Sequence, residues 1–110
     1  MKKFANFLII EKTENIVTIS MSAELQDDVG TIGFLRFTNA KSLSKNDEIL
    51  KIEASKTVLS IKTPLAGEIV EINQEAITTP RLLNSADARQ NWIIKLTKVD
   101  ENEFNSLPNF

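Results

Sequence analysis

The feature that most constrains the fold is a series of short apolar segments with no long amphipathic helix between them. The segments are rich in β-branched residues and are separated by polar stretches: residues 7–10, 16–19, 32–37, 49–52, 58–61, 69–72 and 92–96. Segments of this length and composition are typical of β-strands. Because 110 residues is the length of one domain, the sequence predicts a single domain, residues 1–110, of mainly β structure, either a sandwich or a barrel.

The stretches between the strands predict short helices and turns. Three helices each begin at a residue whose side chain can accept a hydrogen bond from the first turn: Ser22, Thr79 and Asp100. Gly30 follows the first helix where a C-terminal glycine is favoured, proline opens the second, and Pro108 ends the last. Residues 41–47 predict an exposed turn with its bend at Asn46 and Asp47.

The composition excludes several classes of function. The chain has no cysteine and no histidine, which removes thiol nucleophiles, disulfides, histidine-based catalysis and every metal site except one made of carboxylates alone. Its three glycines cannot form a glycine-rich nucleotide loop. A formal charge of −2 argues against nucleic-acid binding. The apolar run at residues 7–10 is too short for a signal peptide or a membrane span, so we expect a cytoplasmic protein.

The fourth and fifth predicted strands form a hairpin whose register is fixed by its apolar side chains. Leu50 and Ile52 alternate with polar residues on the first strand, as Leu59 and Ile61 do on the second. If both apolar faces meet the same core, Ile52 pairs with Leu59 and Leu50 with Ile61, because a slip of one residue would turn them outward. The common midpoint of these pairs predicts that Lys56 lies at the tip.

The tip itself reads Ala54-Ser55-Lys56-Thr57. It lacks the Asn-Gly or Asp-Gly that primed two-residue turns prefer, so we expect a type I geometry. A lysine on a loop is most often a solubilising charge, and the strand pattern alone gives no reason for Lys56 to be modified.

A resemblance supplies that reason. Residues 53–57, Glu-Ala-Ser-Lys-Thr, followed by Thr-Pro-Leu-Ala-Gly-Glu-Ile-Val-Glu-Ile-Asn at residues 63–73, resemble the lipoyl-lysine region of the glycine cleavage system H protein. Pro64 and Gly67 follow the lysine at the spacing found across the biotinyl/lipoyl carrier superfamily. Further similar segments are residues 25–32, 82–84 and 91–96. The resemblance implies a barrel-sandwich hybrid of two small antiparallel sheets with short flanking helices and a C-terminal helix.

The same resemblance implies a function. Lipoate would be covalently attached to Lys56, and lipoate is favoured over biotin because Ser55 and Thr57 flank the lysine where biotin acceptors carry methionines. Glu53 and Ser55 would help a ligase to recognise the tip, and Thr57 would close the turn. The chain would be a monomeric, non-catalytic carrier. Its implied partners are a lipoate-protein ligase or lipoyl transferase and a dihydrolipoamide dehydrogenase-type enzyme.

The short chain, the tip and residues 24–28 are most similar to an H-like branch found in some bacteria beside a sirtuin-type ADP-ribosyltransferase and a macrodomain protein. That similarity implies that the lipoylated carrier undergoes reversible mono-ADP-ribosylation, with Asp27 as a candidate acceptor. The alternative for Asp27 and Asp28 is a solvated helix face. An ordinary H protein that carries an aminomethyl group is the other possible function within the family.

Two alternatives lie outside the family. The chain could be a non-acylated β-sandwich interaction module whose tip lysine pairs with an acidic partner, or an enzyme that uses Glu24, Asp27 and Asp28. Three carboxylates at a helix end are more often surface charge than a catalytic group. We expect Trp92 to be a core residue, the alternative being that its indole edge borders a groove for the lipoyl arm.

Overall fold

The computed structural model describes all 110 residues and contains two antiparallel β-sheets with short helices around them. The nine strands are β1 (Lys2–Ala5), β2 (Leu8–Thr13), β3 (Ile16–Met21), β4 (Ile32–Phe37), β5 (Ser42–Leu43), β6 (Glu48–Ala54), β7 (Val58–Lys62), β8 (Gly67–Ile72) and β9 (Trp92–Thr97). The larger sheet has the order β1-β2-β3-β9-β8-β5, and the smaller sheet has the order β4-β6-β7. The mainly β architecture that the segment pattern predicts is confirmed, as are the two antiparallel sheets that the resemblance implies.

Five short helical segments lie between or after the strands. They are α1 (Ala23–Val29), α2 (Glu75–Thr78), a 3₁₀ helix (Pro80–Asn84), α3 (Ala88–Asn91) and α4 (Glu101–Ser106). The predicted caps of α1 and α4 are confirmed, because Ser22 Oγ accepts a hydrogen bond from Leu25 N and Asp100 Oδ1 accepts one from Glu103 N. The second predicted helix is the 3₁₀ segment, although the Thr79 side chain makes no capping hydrogen bond.

The sequence did not predict α2 and α3, since four residues are too few to display a helical repeat. Asp87 caps α3 by accepting a hydrogen bond from Arg89 N. Hydrogen bonds from the Arg89 side chain and then from its backbone N–H lower the pKa of the Asp87 carboxyl.

The exposed turn predicted at residues 41–47 is wrong in its first half. There β5 pairs with β8 and buries Leu43 in the core. A single apolar residue in a polar stretch gives no alternating pattern, so this contact could not be read from the sequence. The bend does include Asn46, whose φ is 72°.

The start of the second strand also differs from the prediction. The predicted segment at residues 7–10 begins one residue too early, because Asn6 and Phe7 have φ of 54° and 62° and form the tight turn between β1 and β2. Phe7 is therefore exposed. The sequence did not predict β1 because that strand opens with two lysines and has no apolar alternation.

The core lies between the sheets and fixes the hairpin of β6 and β7. Its inward residues from the smaller sheet include Leu35, Leu50, Ile52 and Ile61, all buried. Full burial of one such side chain stabilises the fold by about 1.5–3 kcal/mol. A register slip would expose several of them at once, so the core determines which residues reach the tip.

None of the helices has the length and apolar character needed to cross a membrane.

Candidate functional site

The hairpin of β6 and β7 carries Lys56 at its tip, as the sequence predicts. Ile52 is paired with Leu59 and Leu50 with Ile61. Ala54 N donates to Thr57 O at 2.9 Å, which closes the turn around Ser55 and Lys56. No residue of the tip has a positive φ, so the predicted absence of a primed turn is confirmed.

Backbone hydrogen bonds hold the tip against the segment that joins α1 to β4. Ser55 N donates to Thr31 O at 2.9 Å, and Lys56 N donates to Val29 O at 3.0 Å. The Ser55 side chain completes this contact, since its Oγ accepts a hydrogen bond from Thr31 N at 3.0 Å. The tip is therefore held by a neighbouring segment in addition to its own turn.

Gly30 makes this close approach possible. Its φ is 77°, a conformation that side chains disfavour. A Cβ at this position would overlap Ser55 Oγ and would lie 3.2 Å from Lys56 Cγ. The predicted C-terminal glycine of α1 thus has a second role, because its missing side chain leaves space for the base of the lysine.

The Asn84 side chain also holds this segment, through two hydrogen bonds. Its Nδ2 donates to Gly30 O and its Oδ1 accepts from Ile32 N, both at 2.8 Å. Gln26 Nε2 also donates to Leu83 O and Ser85 O, at 2.9 and 2.8 Å. These bonds fix α1 to the 3₁₀ helix. Neither role was predicted, because an amide side chain in a turn gives no signal of a distant backbone partner.

The Lys56 side chain is exposed and extends along α1. Its Nζ donates a hydrogen bond to Asp27 O at 2.8 Å. No carboxylate lies within ion-pair distance of this nitrogen. The amine is thus accessible from solvent, and its only hydrogen-bond partner is one backbone carbonyl at the C-terminal end of a helix.

The other predicted site residues lie around this amine. Glu53 is exposed on β6, and Thr57 is exposed with its backbone carbonyl in the turn. Asp27 and Asp28 are exposed on α1, and their carboxylates form no ion pair. The structure therefore brings Asp27 next to Lys56, whereas Glu24 lies one helical turn away from the tip.

An apolar groove of about 290 Å³ runs beside the hairpin, and the sequence did not predict it. Its lining includes Phe7, Leu25, Leu59 and Ile61. Leu59 is three residues from Lys56, which corresponds to about 10 Å along a strand. The groove therefore begins within reach of a long substituent on the Lys56 amine.

Trp92 does not have its expected place in the core. It is half-buried at the start of β9, with Lys95 Nζ 4.9 Å from the centroid of its ring. It lines a groove together with residues 69–75, and no residue of the hairpin tip contributes to that groove. Trp92 is the first residue of β9, and its sequence pattern does not distinguish partial burial at a strand end from full burial in the core.

Comparisons with known proteins agree with this geometry. The family model described as Glycine cleavage H-protein matches residues 3–109. A glycine cleavage system H-like protein from Staphylococcus aureus is 46% identical over 108 residues, which is 98% of each chain. A glycine cleavage system H protein from Psychromonas ingrahamii is 30% identical over 90% of this chain and 80% of the relative. The chain also resembles the crystal structure of a glycine cleavage system H protein from Mycobacterium marinum, with a TM-score of 0.76 at 19% identity, over 87% of this chain and 82% of that one.

Proteins of this family carry covalently attached lipoate and act as the non-catalytic carrier subunit of the glycine cleavage system, where they interact with its enzymes and with lipoyl ligases. The solved structure supports the fold alone, but the family model covers almost the whole chain and the H-like relative matches it from end to end. On these grounds the chain belongs to the glycine cleavage H-protein family of lipoyl carriers.

Proposed function

We propose that residues 1–110 form one carrier domain in which Lys56 bears the lipoyl group and moves its dithiol arm between partner enzymes. The observation that carries this proposal is the exposed amine at the end of a hairpin whose register is fixed by the core. A tethered arm has a high effective concentration at each partner site, so the protein contributes position and the cofactor contributes the redox chemistry.

The attachment step needs only an accessible amine and an activated lipoate. An amide forms between Lys56 Nζ and the carboxyl carbon, the activating group leaves, and the nitrogen keeps one hydrogen. This step removes the positive charge but retains one donor for Asp27 O. The hydrogen bond to α1 can therefore persist after acylation, in a weaker neutral form.

The tip residues have separate roles in this proposal. Glu53 projects from the strand next to the turn and is available for contact with a ligase. Ser55 acts through its hydrogen bond with Thr31, which holds the tip, and Thr57 closes the turn through its carbonyl. In an acylation assay, Ser55→Ala should therefore lower the rate of lipoyl transfer because the tip is held less firmly. Glu53→Gln should lower that rate because the ligase loses a contact.

The groove lined by Phe7, Leu25 and Leu59 is the resting place that we assign to the arm. Its apolar lining suits the hydrocarbon chain and the dithiolane of lipoate. Trp92 lies outside this groove, so lipoylation should leave its fluorescence unchanged. A large change would favour the groove beside β8 and β9 instead.

Intact-mass measurement tests the attachment directly. The purified chain is incubated with lipoate, ATP and a lipoate-protein ligase, and should gain one lipoyl group. Lys56→Arg should gain none, whereas the matched control Lys45→Arg, at the other end of β6, should be modified like the wild type. An unmodified wild-type chain under these conditions would overturn the proposal.

We also propose that the lipoylated carrier is a substrate for reversible mono-ADP-ribosylation at Asp27. The contact between Lys56 Nζ and Asp27 O, which brings the acceptor beside the arm, supports this assignment. A sirtuin-type transferase would join the Asp27 carboxylate to the anomeric carbon of the ribose of NAD, with nicotinamide as the leaving group, and a macrodomain hydrolase would cleave that ester. Because the Lys56 amine lies beside the end of α1 that carries Asp27, the transferase would contact the arm and the acceptor together.

The test uses Asp27→Asn with Asp28→Asn as its control. Lipoylated wild type and Asp28→Asn should accept ADP-ribose from NAD and the transferase, while Asp27→Asn and unlipoylated Lys56→Arg should not. Equal modification of Asp27→Asn and the wild type would contradict the assignment of the acceptor.

The second candidate function is that of an ordinary H protein, which would carry an aminomethyl group on the reduced arm. Relatives named as glycine cleavage system H proteins support it at 30–32% identity. The lipoylated chain would then support glycine decarboxylation by the decarboxylase subunit. If the lipoylated chain fails in that assay and accepts ADP-ribose at Asp27, the results would favour an ADP-ribosylated carrier over an ordinary H protein.

A further inference from the structure

The smaller sheet has an outward face next to the Lys56 tip that its own fold leaves uncovered. We call it the outer face, and it consists of Phe34, Arg36, Lys51, Glu53 and Val58. All five residues are exposed, whereas the opposite side of the same strands is buried in the core. The outer face of the smaller sheet is therefore open to another protein.

Two residues of the outer face are large and apolar. Phe34 is 54% exposed and Val58 is 63% exposed, although neither is needed by the core. Register pairs Phe34 with Glu53 and Glu53 with Val58, so the three form one row across the sheet, immediately below the turn that holds Lys56. Exposed apolar side chains that share a row mark a surface suited to protein contact.

A β-bulge turns Phe34 outward. The register of β4 against β6 shifts between Ile32 and Phe34, with Gly33 as the extra residue. Without this shift the alternation from Ile32 would direct residue 34 inward and residue 35 outward. The exposure of Phe34 is thus set by the backbone of the sheet.

The next row is positively charged. Arg36 lies directly opposite Lys51 on the neighbouring strand, and neither forms an ion pair. Like charges in this arrangement repel each other and are unfavourable in the isolated chain. This local charge contrasts with the formal charge of −2 for the whole protein. An acidic surface placed over the row would relieve the repulsion.

We propose that the enzyme that acylates Lys56 docks on the outer face, with carboxylates opposite Arg36 and Lys51 and an apolar patch over Phe34 and Val58. The inference rests on the proposed function of Lys56 and names the chemistry of the partner that serves it. The row of Phe34, Glu53 and Val58 lies beside the reacting amine, and the row of Arg36 and Lys51 lies further along the strands. Apolar contact thus forms next to the tip, while the cations steer the encounter.

The test measures initial rates of lipoyl transfer against carrier concentration with a purified lipoate-protein ligase. Arg36→Gln/Lys51→Gln should raise KM about tenfold at low salt, because steering by rim charges changes association rates by one or more powers of ten. Phe34→Ser/Val58→Ser should also raise KM, but with less dependence on salt. The control Lys41→Gln/Lys45→Gln removes the same charge from the segment that precedes β6 and should leave KM within about twofold of the wild type.

The results distinguish failure of docking on the outer face from failure of the function proposed for Lys56. If Arg36→Gln/Lys51→Gln is acylated with the KM of the control, docking on the outer face is ruled out while Lys56 remains the acceptor. If the wild-type chain is never acylated, the proposed function of Lys56 fails first. Should sedimentation reveal a dimer that Phe34→Ser/Val58→Ser dissociates, the face belongs to a second copy and the proposal is overturned. Unchanged thermal midpoints would confirm that these exposed substitutions act on binding.

Discussion

The turns at the two ends of β6 are built from different kinds of residue and contact. Both ends are held by backbone hydrogen bonds, to Thr63 at the bend before β6 and to residues 29–31 at the tip. At the bend, Asn46 adopts a positive φ and the Asp47 side chain stays within its own turn, where Oδ2 accepts a hydrogen bond from Ser44 N. At the other end the tip has no such residue, and Ser55 bonds outward to Thr31. Both ends display a lysine to solvent.

The difference indicates which side chains each turn leaves available for contact with a partner. A bend with a left-handed residue requires particular residues at that position. The tip has no positive φ and makes no such demand, so its remaining side chains are available for recognition. We infer that the fold presents Lys56 through the support of residues 29–31 and Asn84, whereas Lys45 is simply an exposed charge.

The largest effect is expected from breaking this support at Gly30. Gly30→Ala would place a Cβ against Ser55 Oγ at a positive φ, and should lower the free energy of unfolding by about 1–3 kcal/mol. Acylation of Lys56 should slow as well. Urea unfolding and a transfer assay measure the two effects.

Gly33→Ala is the matched control for that substitution. A Cβ at Gly33 would lie 3.9 Å from Glu53 O, an ordinary contact, and its φ is not positive. Its effect on unfolding should stay below about 1 kcal/mol. If the two variants are equally stable, the tip does not depend on close approach at Gly30.

A smaller effect is expected from Asn84→Ala. This change leaves Gly30 O and Ile32 N without their side-chain partner and should cost about 1–2 kcal/mol in the free energy of unfolding. Hydrogen exchange at Ile32 N should accelerate. Asn39→Ala, at an exposed asparagine without side-chain hydrogen bonds, serves as the control, and a similar loss in both variants would argue against a clamp.

The opposite sign is expected at the bend before β6. Asn46→Gly relieves a left-handed conformation and should change stability by less than about 1 kcal/mol, in the stabilising direction. Ser55→Gly should give no gain, because the tip has no positive φ and loses the bond to Thr31. A stabilised Ser55→Gly variant would erase the distinction between the two ends.

The smallest effect is expected from Lys56→Gln. The side chain is exposed and makes one hydrogen bond to a carbonyl, so unfolding should change by about 0.5 kcal/mol or less. Thermal denaturation tests this. A loss of several kcal/mol would mean that Lys56 stabilises the fold and is not simply displayed by it.

Sequence reasoning recovered the features that arise from local patterns. The alternation of Leu50, Ile52, Leu59 and Ile61 was sufficient to place Lys56 at the tip, because the buried face of a hairpin permits one register. The cap at Ser22 was likewise readable, since it depends on neighbours in the chain. Recognition of lipoate as the cofactor came from resemblance and not from the pattern.

Features that depend on distant partners could not be predicted. Asn84 contacts a segment more than fifty residues away, and nothing near it in the sequence marks that contact. Leu43 lies in a strand that pairs with β8, and Trp92 is half-buried at the start of β9. In each case the environment depends on segments distant in the sequence and not on the local pattern of side chains.

Peptide mapping of the lipoylated chain tests the central claim most directly. After reaction with lipoate, ATP and a ligase, tandem mass spectrometry should locate the lipoyl group on the peptide that contains Lys56, and the peptide that contains Lys45 should be unmodified. Lipoyl found on Lys45 or on another lysine, with Lys56 free, would contradict the account.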